Sequence, residues 1–498
     1  MLTSRYFGDF LALFAGALLP LAFAPFSWYP LAILSPFILL CVWQAVSPKR
    51  AGWRGFLYGI GLFGVGVSWV NVSFYSFGGM PLFAALLLTG GFVVVLSLFP
   101  AGLGLFITRF FPQDSYFKWV FILPASWVFL EWVRSWFLSG FPWLSIGYSQ
   151  IDSPLSGFAP LLGVYGVSFV VMLSASLLLA TGLFQRWRLV TVTVLVVMWV
   201  GAWFLTQQTW THAIDNPIKV ALIQGNIPQE FKWLEGKREE SVRRYAELSQ
   251  QNLDANLIIW PETAIPWFYE HMQPLFDWMK TQHNAHQVDF IVGVPYSTAD
   301  GRYFNSVTNV SAATVQFYHK HHLVPFGEYI PLSRFIGVIL DFLNAPLSEF
   351  SAGEAYQKNL SAVQQSIGIS ICYEDVFGER VRTGLPEATL LVNVSNDAWF
   401  GDSIAPHQHL EIARMRALEA GRYLLRATNT GMTAVIDPQG KVTAIAPQFK
   451  IYVLRAEVRA YQGITPYVRW GDSLIVIFVS CCLLLGLGLQ WRNKRLSV

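Results

Sequence analysis

The sequence predicts a membrane α-helical bundle of about eight spans joined to a layered α/β domain. Three observations carry this: long charge-free apolar runs at both ends, a charged middle region, and buried-strand patterns alternating with amphipathic helices in that middle. Of the 498 residues, 54% are hydrophobic and 13% charged, against about 25% charged in an ordinary soluble domain. The charges are unevenly placed. Residues 1–214 hold nine Lys/Arg and four Asp/Glu, residues 473–498 hold three Lys/Arg, and the remaining 49 charges fall between. The apolar parts therefore carry +8 and the middle −5, so nothing is basic enough for a nucleic-acid partner. The expected domains are helices 1–7 in 1–213, an α/β domain in 214–472, and an eighth span with a tail in 473–498.

A span needs about 20 apolar residues. Tyr6 to Ser47 carries only Asp9, and Pro20, Pro25 and Pro30 divide it into two spans. Gly55 to Thr108 is uncharged and turns at Phe77–Pro81, giving a third and a fourth. Further spans are expected at Lys118–Phe137, Phe158–Phe184, Leu189–Gln207 and Ser473–Trp491. Orientation follows from the basic residues. Arg5, Lys49/Arg50/Arg54, Arg109/Lys118, Arg186/Arg188 and Arg492/Lys494/Arg495 share one side if every span crosses. Both termini are then cytoplasmic and 214–472 lies outside the cytoplasm. Ala22-Phe23-Ala24 has the look of a signal cleavage site, but Pro25 follows directly and more spans come after. Glu131 and Arg134 sit one turn apart near the end of the fifth span. Pairing on one face, a functional role and snorkelling all fit them.

In the middle region, Ile218–Gln224, Ala255–Trp260, Asp289–Val294, Ser306–Val310, Ser366–Ile371, Ala388–Val394 and Leu425–Ile436 read as strands bounded by Gly, Pro or Asn. Glu235–Asn252 and His407–Arg422 read as amphipathic helices. Three strands end on reactive side chains: Ile258-Ile259-Trp260-Pro261 on Glu262, Ile369-Ser370-Ile371 on Cys372, and Tyr318-His319 on Lys320. Sites in open α/β sheets form at strand carboxyl ends, so these three are expected to converge. Cys41, Cys481 and Cys482 lie in apolar runs, whereas Cys372 is the one cysteine of the polar middle. A thiol needs a base to ionise, and a nearby ammonium offsets the repulsion between thiolate and carboxylate. Taken singly, each residue also fits a structural role. His319, His321 and His322 lack the spaced partners of a zinc site, and His407 and His409 read as surface residues opening a helix. No metal or cofactor is expected.

Trp260-Pro261-Glu262, Lys320-His321-His322-Leu323-Val324-Pro325-Phe326-Gly327-Glu328 and Ile371-Cys372-Tyr373-Glu374 resemble the catalytic segments of the nitrilase superfamily. With the apolar spans around it, the chain resembles its membrane-embedded branch, the bacterial apolipoprotein N-acyltransferases. Glu131-Trp132-Val133-Arg134, Gly140–Leu144, Gln224–Gln229 and Asn393–Phe400 fit that branch too. The resemblance implies an αββα sandwich and a Glu262–Lys320–Cys372 triad in the bacterial inner membrane. It implies a ping-pong acyl transfer through a Cys372 thioester, from a phospholipid such as phosphatidylethanolamine to the α-amine of a diacylglyceryl-cysteine apolipoprotein. Glu262 is then general base and acid, and Lys320 the oxyanion stabiliser. Glu328, Glu374, Tyr373 and Asn305 have supporting places, and Trp233 lies in an entrance loop. Trp399 and Phe400 are expected at the substrate entrance or lid, and the aromatics Phe231, Trp233, Trp399 and Phe400 fit interfacial anchors and packed residues equally.

A lipid substrate suits residues 329–350, rich in Phe335, Ile336, Val338, Leu340 and Phe342. That run fits a lid dipping into lipid, and equally a core helix. A membrane-tethered amidase or nitrilase remains the alternative on the triad alone. A transporter or receptor is disfavoured because the spans lack a midplane cluster of ionisable residues.

Overall fold

The structure is a computed structural model that describes residues 5–311, 314–325, 327–329 and 350–496. Residues 330–349, and with them the expected lid, lie outside the described residues. The chain divides into two compact units, a helical one of residues 1–71, 82–208 and 470–498, and an α/β one of residues 72–81 and 209–469.

In the helical unit every one of the eight apolar stretches contains helix. Among the described residues, four helices are long and apolar enough to cross a membrane: Leu82–Phe110, Pro154–Leu183, Gln185–Thr206 and Ser473–Asn493. Counting Pro48–Gly66 and Val70–Phe77 as one span gives five, while Tyr6–Ala22 and Leu31–Trp43 are shorter apolar helices. The prolines that divide the first stretch are what leave its two helices short. Small residues let neighbouring helices approach closely. A Cβ on Gly16 would lie 2.0 Å from the Tyr58 carbonyl oxygen, and one on Gly55 2.1 Å from that of Pro100.

Asp9, Glu131 and Arg134 in this unit have polar partners. Asp9 accepts from Arg50 at 2.6 Å and from Arg54 at 3.2 Å. Glu131 and Arg134 serve the loop that follows their helix. Glu131 Oε1 accepts from the Trp127 indole at 2.9 Å and the Ile146 amide at 2.8 Å. Arg134 donates to the carbonyls of Phe141 and Trp143.

The α/β unit is a four-layer αββα sandwich. One sheet contains β1 (Thr211–Gln224), β2 (Leu257–Ile259), β3 (Asp289–Ser297), β4 (Tyr303–Asn309) and β5 (Gln316–His319). The second contains β6 (Leu360–Ala362), β7 (Gln365–Ile371), β8 (Leu390–Ser395), β9 (Leu424–Thr428), β10 (Ala434–Ile436) and β11 (Val442–Ile445). β12 (Tyr452–Gly463) returns to the first sheet, whose order is β12-β1-β2-β3-β4-β5; the second runs β11-β10-β9-β8-β7-β6. Alternation along each strand makes the layers. Leu257 and Ile259 face the second sheet, in one core with Ile371, Val394 and Leu425. Ile258 faces the other way, with Tyr245, Phe276 and Met279 of the Arg238–Gln250 and Gln273–His286 helices. Leu391 and Leu424 pack under Leu410, Ala413 and Ala417 of the Ala405–Ala420 helix.

Two strand readings need correction. Leu425–Ile436 is a pair of antiparallel strands, with Leu424 opposite Ile436, because Asn429-Thr430-Gly431 turns the chain. β1 begins at Thr211 rather than Ile218: it passes through an irregularity between Ile214 and Ile218, where Pro217 removes a ladder donor.

The Val72–Pro81 segment groups with the sandwich. Ser73 donates to the Trp399 carbonyl at 2.8 Å, and the Phe77 ring meets the Trp399 indole edge-on, centroids 6.0 Å apart.

Candidate active site

β2 and β7 are parallel-paired inner strands, one in each sheet, and both stop where a reactive side chain follows. After β2, Trp260 still bonds to β3 through its amide, and Pro261 ends the ladder. Glu262 comes next and Thr263 turns at φ 47°. The turn is pressed onto β3: a Cβ on Gly293 would lie 2.3 Å from the Pro261 carbonyl oxygen. After β7, Cys372 itself adopts φ 52°, in the left-handed region. Such a conformation is held against local preference, and residues held so are enriched at functional sites. It opens the short 3-10 turn Cys372–Val376.

Lys320 follows β5, its amide bonded to the Asn305 carbonyl of β4. The Lys320 ammonium lies 3.4 Å from Glu262 Oε1 and 2.9 Å from the Glu328 carboxylate. Asn305 Nδ2 donates to the same two carboxylates, at 2.7 Å to Glu262 and 2.9 Å to Glu328. Burial alone would lower the Lys320 pKa, but Glu328 and Glu262 outweigh it and push it up, so this group stays charged. Cys372 is 8% exposed. Burial, with Glu262 adding to it, pushes its thiol well above the usual value, while Lys320 works the other way. That environment favours the neutral thiol over the thiolate.

Glu374 ties the Cys372 and Lys320 segments together. Its carboxylate accepts from the amides of Ile371, His321 and His322 and from the Tyr318 hydroxyl, with the Arg380 guanidinium 3.7 Å away. The Tyr373 ring packs edge-on against Phe377, centroids 5.2 Å apart. The three neighbouring histidines are used structurally: His319 bonds Ser306, His321 bonds the Gly353 carbonyl, and His322 lies against Phe377.

Trp233 is 45% exposed and Trp399 37%. Trp233 sits in the turn after Gln229, and Trp399 and Phe400 in the 3-10 turn Asp397–Phe400.

Two features escape the sequence. Beneath Cys372 lies a buried quartet of Asp375, Asp397, His409 and Arg426. Here the surface reading of His409 fails: it is 1% exposed, 2.7 Å from Asp375 and 3.1 Å from Asp397. The Ala405–Ala420 helix presents that face inward against the Cys372–Val376 turn. Arg426 of β9 bridges both aspartates at 3.1 and 2.9 Å and also bonds Asn393, which donates to the Cys372 carbonyl. Burial would raise Asp397, but Arg426 and His409 overrule it and hold its carboxyl well below the usual range. The second feature is Lys232, 5% exposed, with its ammonium 3.2 Å from the Glu262 carbonyl oxygen. A lysine in an aromatic-rich loop gave no reason to place it inside.

Residues 15–177 match the family described as "Apolipoprotein N-acyltransferase N-terminal domain", and residues 219–464 match "Carbon-nitrogen hydrolase". The Methylococcus capsulatus protein named apolipoprotein N-acyltransferase is 46% identical over 465 residues, 93% of this chain and 92% of its own. The Vibrio cholerae protein of that name is 42% identical over 505 residues, 99% of each chain. A carbon–nitrogen hydrolase of Helicobacter pylori G27 aligns over 49% of this chain and 89% of its own, at 18% identity and TM-score 0.38.

Proposed function

Because this chain belongs to the apolipoprotein N-acyltransferase family, and is a membrane acyltransferase of lipoprotein maturation with a carbon–nitrogen hydrolase domain, we propose that Cys372 carries the acyl group. The donor is a phospholipid, with phosphatidylethanolamine our choice, and the acceptor is the α-amine of a diacylglyceryl-cysteine apolipoprotein. The observation that supports this most is the Lys320 ammonium, shared between Glu262 and Glu328 at the strand ends that also deliver Cys372.

In the first half-reaction Glu262 takes the thiol proton as the Cys372 sulfur attacks the ester carbonyl. Negative charge then grows on the carbonyl oxygen, where Lys320 stabilises it. Removing one such donor costs about 3–4 kcal/mol in other enzymes. Collapse breaks the ester C–O bond, Glu262 returns the proton to the departing alkoxide, and a lysophospholipid leaves a thioester behind. In the second half the acceptor amine attacks the thioester, Glu262 takes a proton from the nitrogen, and the thiolate leaves and is reprotonated. Glu328 and Asn305 hold Lys320 and Glu262 in register. Glu374 fixes the nucleophile's turn, with Tyr373 beside it. Trp233, Trp399 and Phe400 form the substrate entrance.

We place the catalytic domain, 214–472, outside the cytoplasm of the bacterial inner membrane, with eight spans and both termini cytoplasmic. The Lys/Arg distribution supports that orientation. Such a site serves substrates that leave the bilayer only at about 0.8 kcal/mol per exposed CH₂.

The test uses full-length protein in phosphatidylethanolamine vesicles. A hydroxylamine-labile acyl group should appear on Cys372, be absent from Cys372→Ala, and move to a diacylglyceryl-cysteine peptide when that is added. Acyl discharge to water at a rate the peptide does not change would instead support a hydrolase.

A further inference from the structure

The turn after Gln229 is inside out. Phe231, Trp233 and Leu234 are 42%, 45% and 52% exposed, while Lys232 between them is 5% exposed. Lysine is almost never fully buried without a partner, and a turn facing water would point it outward. Lys232 donates to the Glu262 main-chain carbonyl at 3.2 Å, at the residue before the strained Thr263. The turn is anchored from inside as well: Gln229 accepts from Asn396 at 2.7 Å.

The charges at the site give this burial a purpose. Glu262 and Glu328 are two carboxylates, Lys320 is one ammonium, and Lys232 is the second. With Lys232 seated the group is neutral; without it, a net negative charge opposes forming a thiolate at Cys372. We infer that Lys232 is a positioning residue for acyl transfer, carried on the aromatic turn, so that the triad is electrostatically complete only while that turn is seated. It acts through the Glu262 backbone and through the field at Cys372. The groups facing it are Glu262 and Cys372; Lys320, Glu328 and Asp397 are linked to those two. Burial, with Glu262 and Cys372 opposing it, lowers the Lys232 pKa to about 8. Its charge is present below that value and lost as pH rises through it.

This rests on the Cys372 thioester reading, and the two fail separately. The initial rate of Cys372 acylation is measured in phosphatidylethanolamine vesicles on both sides of pH 8 for the wild type, Lys232→Met and Lys232→Arg. Lys232→Met should be about tenfold to hundredfold slower at neutral pH. The wild-type rate should fall as pH rises through about 8, and Lys232→Arg, which keeps its charge, should not fall there. A Lys232→Met rate equal to wild type, or the same alkaline fall in Lys232→Arg, overturns the inference while leaving the triad intact. Should Lys232→Met not accumulate in membranes, the comparison of wild type with Lys232→Arg decides alone. A wild-type protein never acylated at Cys372 overturns the parent reading.

Discussion

Gly293 and Glu262 meet backbone to backbone: a Cβ on Gly293 would sit 2.9 Å from Glu262 Cα, 2.7 Å from the Thr263 nitrogen and 2.3 Å from the Pro261 oxygen. The carboxylate is aimed by a neighbouring strand that has no side chain at that point.

Replacing Gly293 with Ala therefore moves the Glu262 turn while meeting only its backbone atoms. A displacement of about 1 Å in such a site is worth about a hundredfold in rate. The acylation rate should fall by about that factor. The unfolding free energy should drop by the amount typical of overpacking, about 1–3 kcal/mol. Unchanged acylation in a folded Gly293→Ala protein would mean that the Glu262 turn is not under this constraint.

Glu262→Gln separates two effects of one carboxylate. Removing the base should slow acylation by about 10²–10⁴-fold. Removing the negative charge should at the same time ease ionisation of Cys372, since Glu262 is among the groups that hold the thiol up. Alkylation of Cys372 by a small neutral reagent, followed against pH, should show its midpoint shifted downward in Glu262→Gln. A midpoint that moves upward would contradict the electrostatic role assigned to Glu262.

The quartet beneath Cys372 predicts a stability profile. Asp397 is depressed, so its contribution is present above its unfolded pKa of about 3.9 and is lost as pH falls through the folded value. Burial and Arg426 would lower His409, but Asp375 and Asp397 outweigh them and raise it. Its contribution is full below about 6.5 and is lost as pH rises through the raised value. Thermal midpoints should decline on both sides, and His409→Gln should flatten the alkaline decline and, because His409 helps Arg426 hold Asp397 down, soften the acid one as well. Arg426→Met leaves two buried carboxylates short of a partner and should cost about 3–5 kcal/mol. An alkaline limb identical in His409→Gln and wild type would remove His409 from this account.

What the sequence disclosed depended on punctuation. Glu262 and Cys372 were legible because each ends a short apolar run, and both readings placed a reactive side chain at a strand end. β12 was hidden because Arg455, Glu457 and Arg459 alternate along an edge strand whose other face, Leu454, Val458 and Ala460, packs into the core between the sheets. His409 was misread because a histidine in the first turns of a helix looks solvated until the Asp375 and Asp397 that meet it are folded beneath. Lys232 was illegible for a related reason: its burial depends on Glu262, thirty residues on. Local pattern reports which face a strand presents, and pairings across long stretches of chain lie beyond it.

The placement of Val72–Pro81 bears on how the protein is made and dissected. This segment belongs to the sandwich, yet it leaves the ribosome well before Thr209, where the rest of that unit begins. The nascent sandwich thus waits for no later partner at Trp399; its cover has already been synthesised. A soluble fragment cut at residue 209 would lack that cover, exposing the Trp399 carbonyl and one edge of its ring. Supplying residues 72–81 as a linked peptide is the corresponding repair.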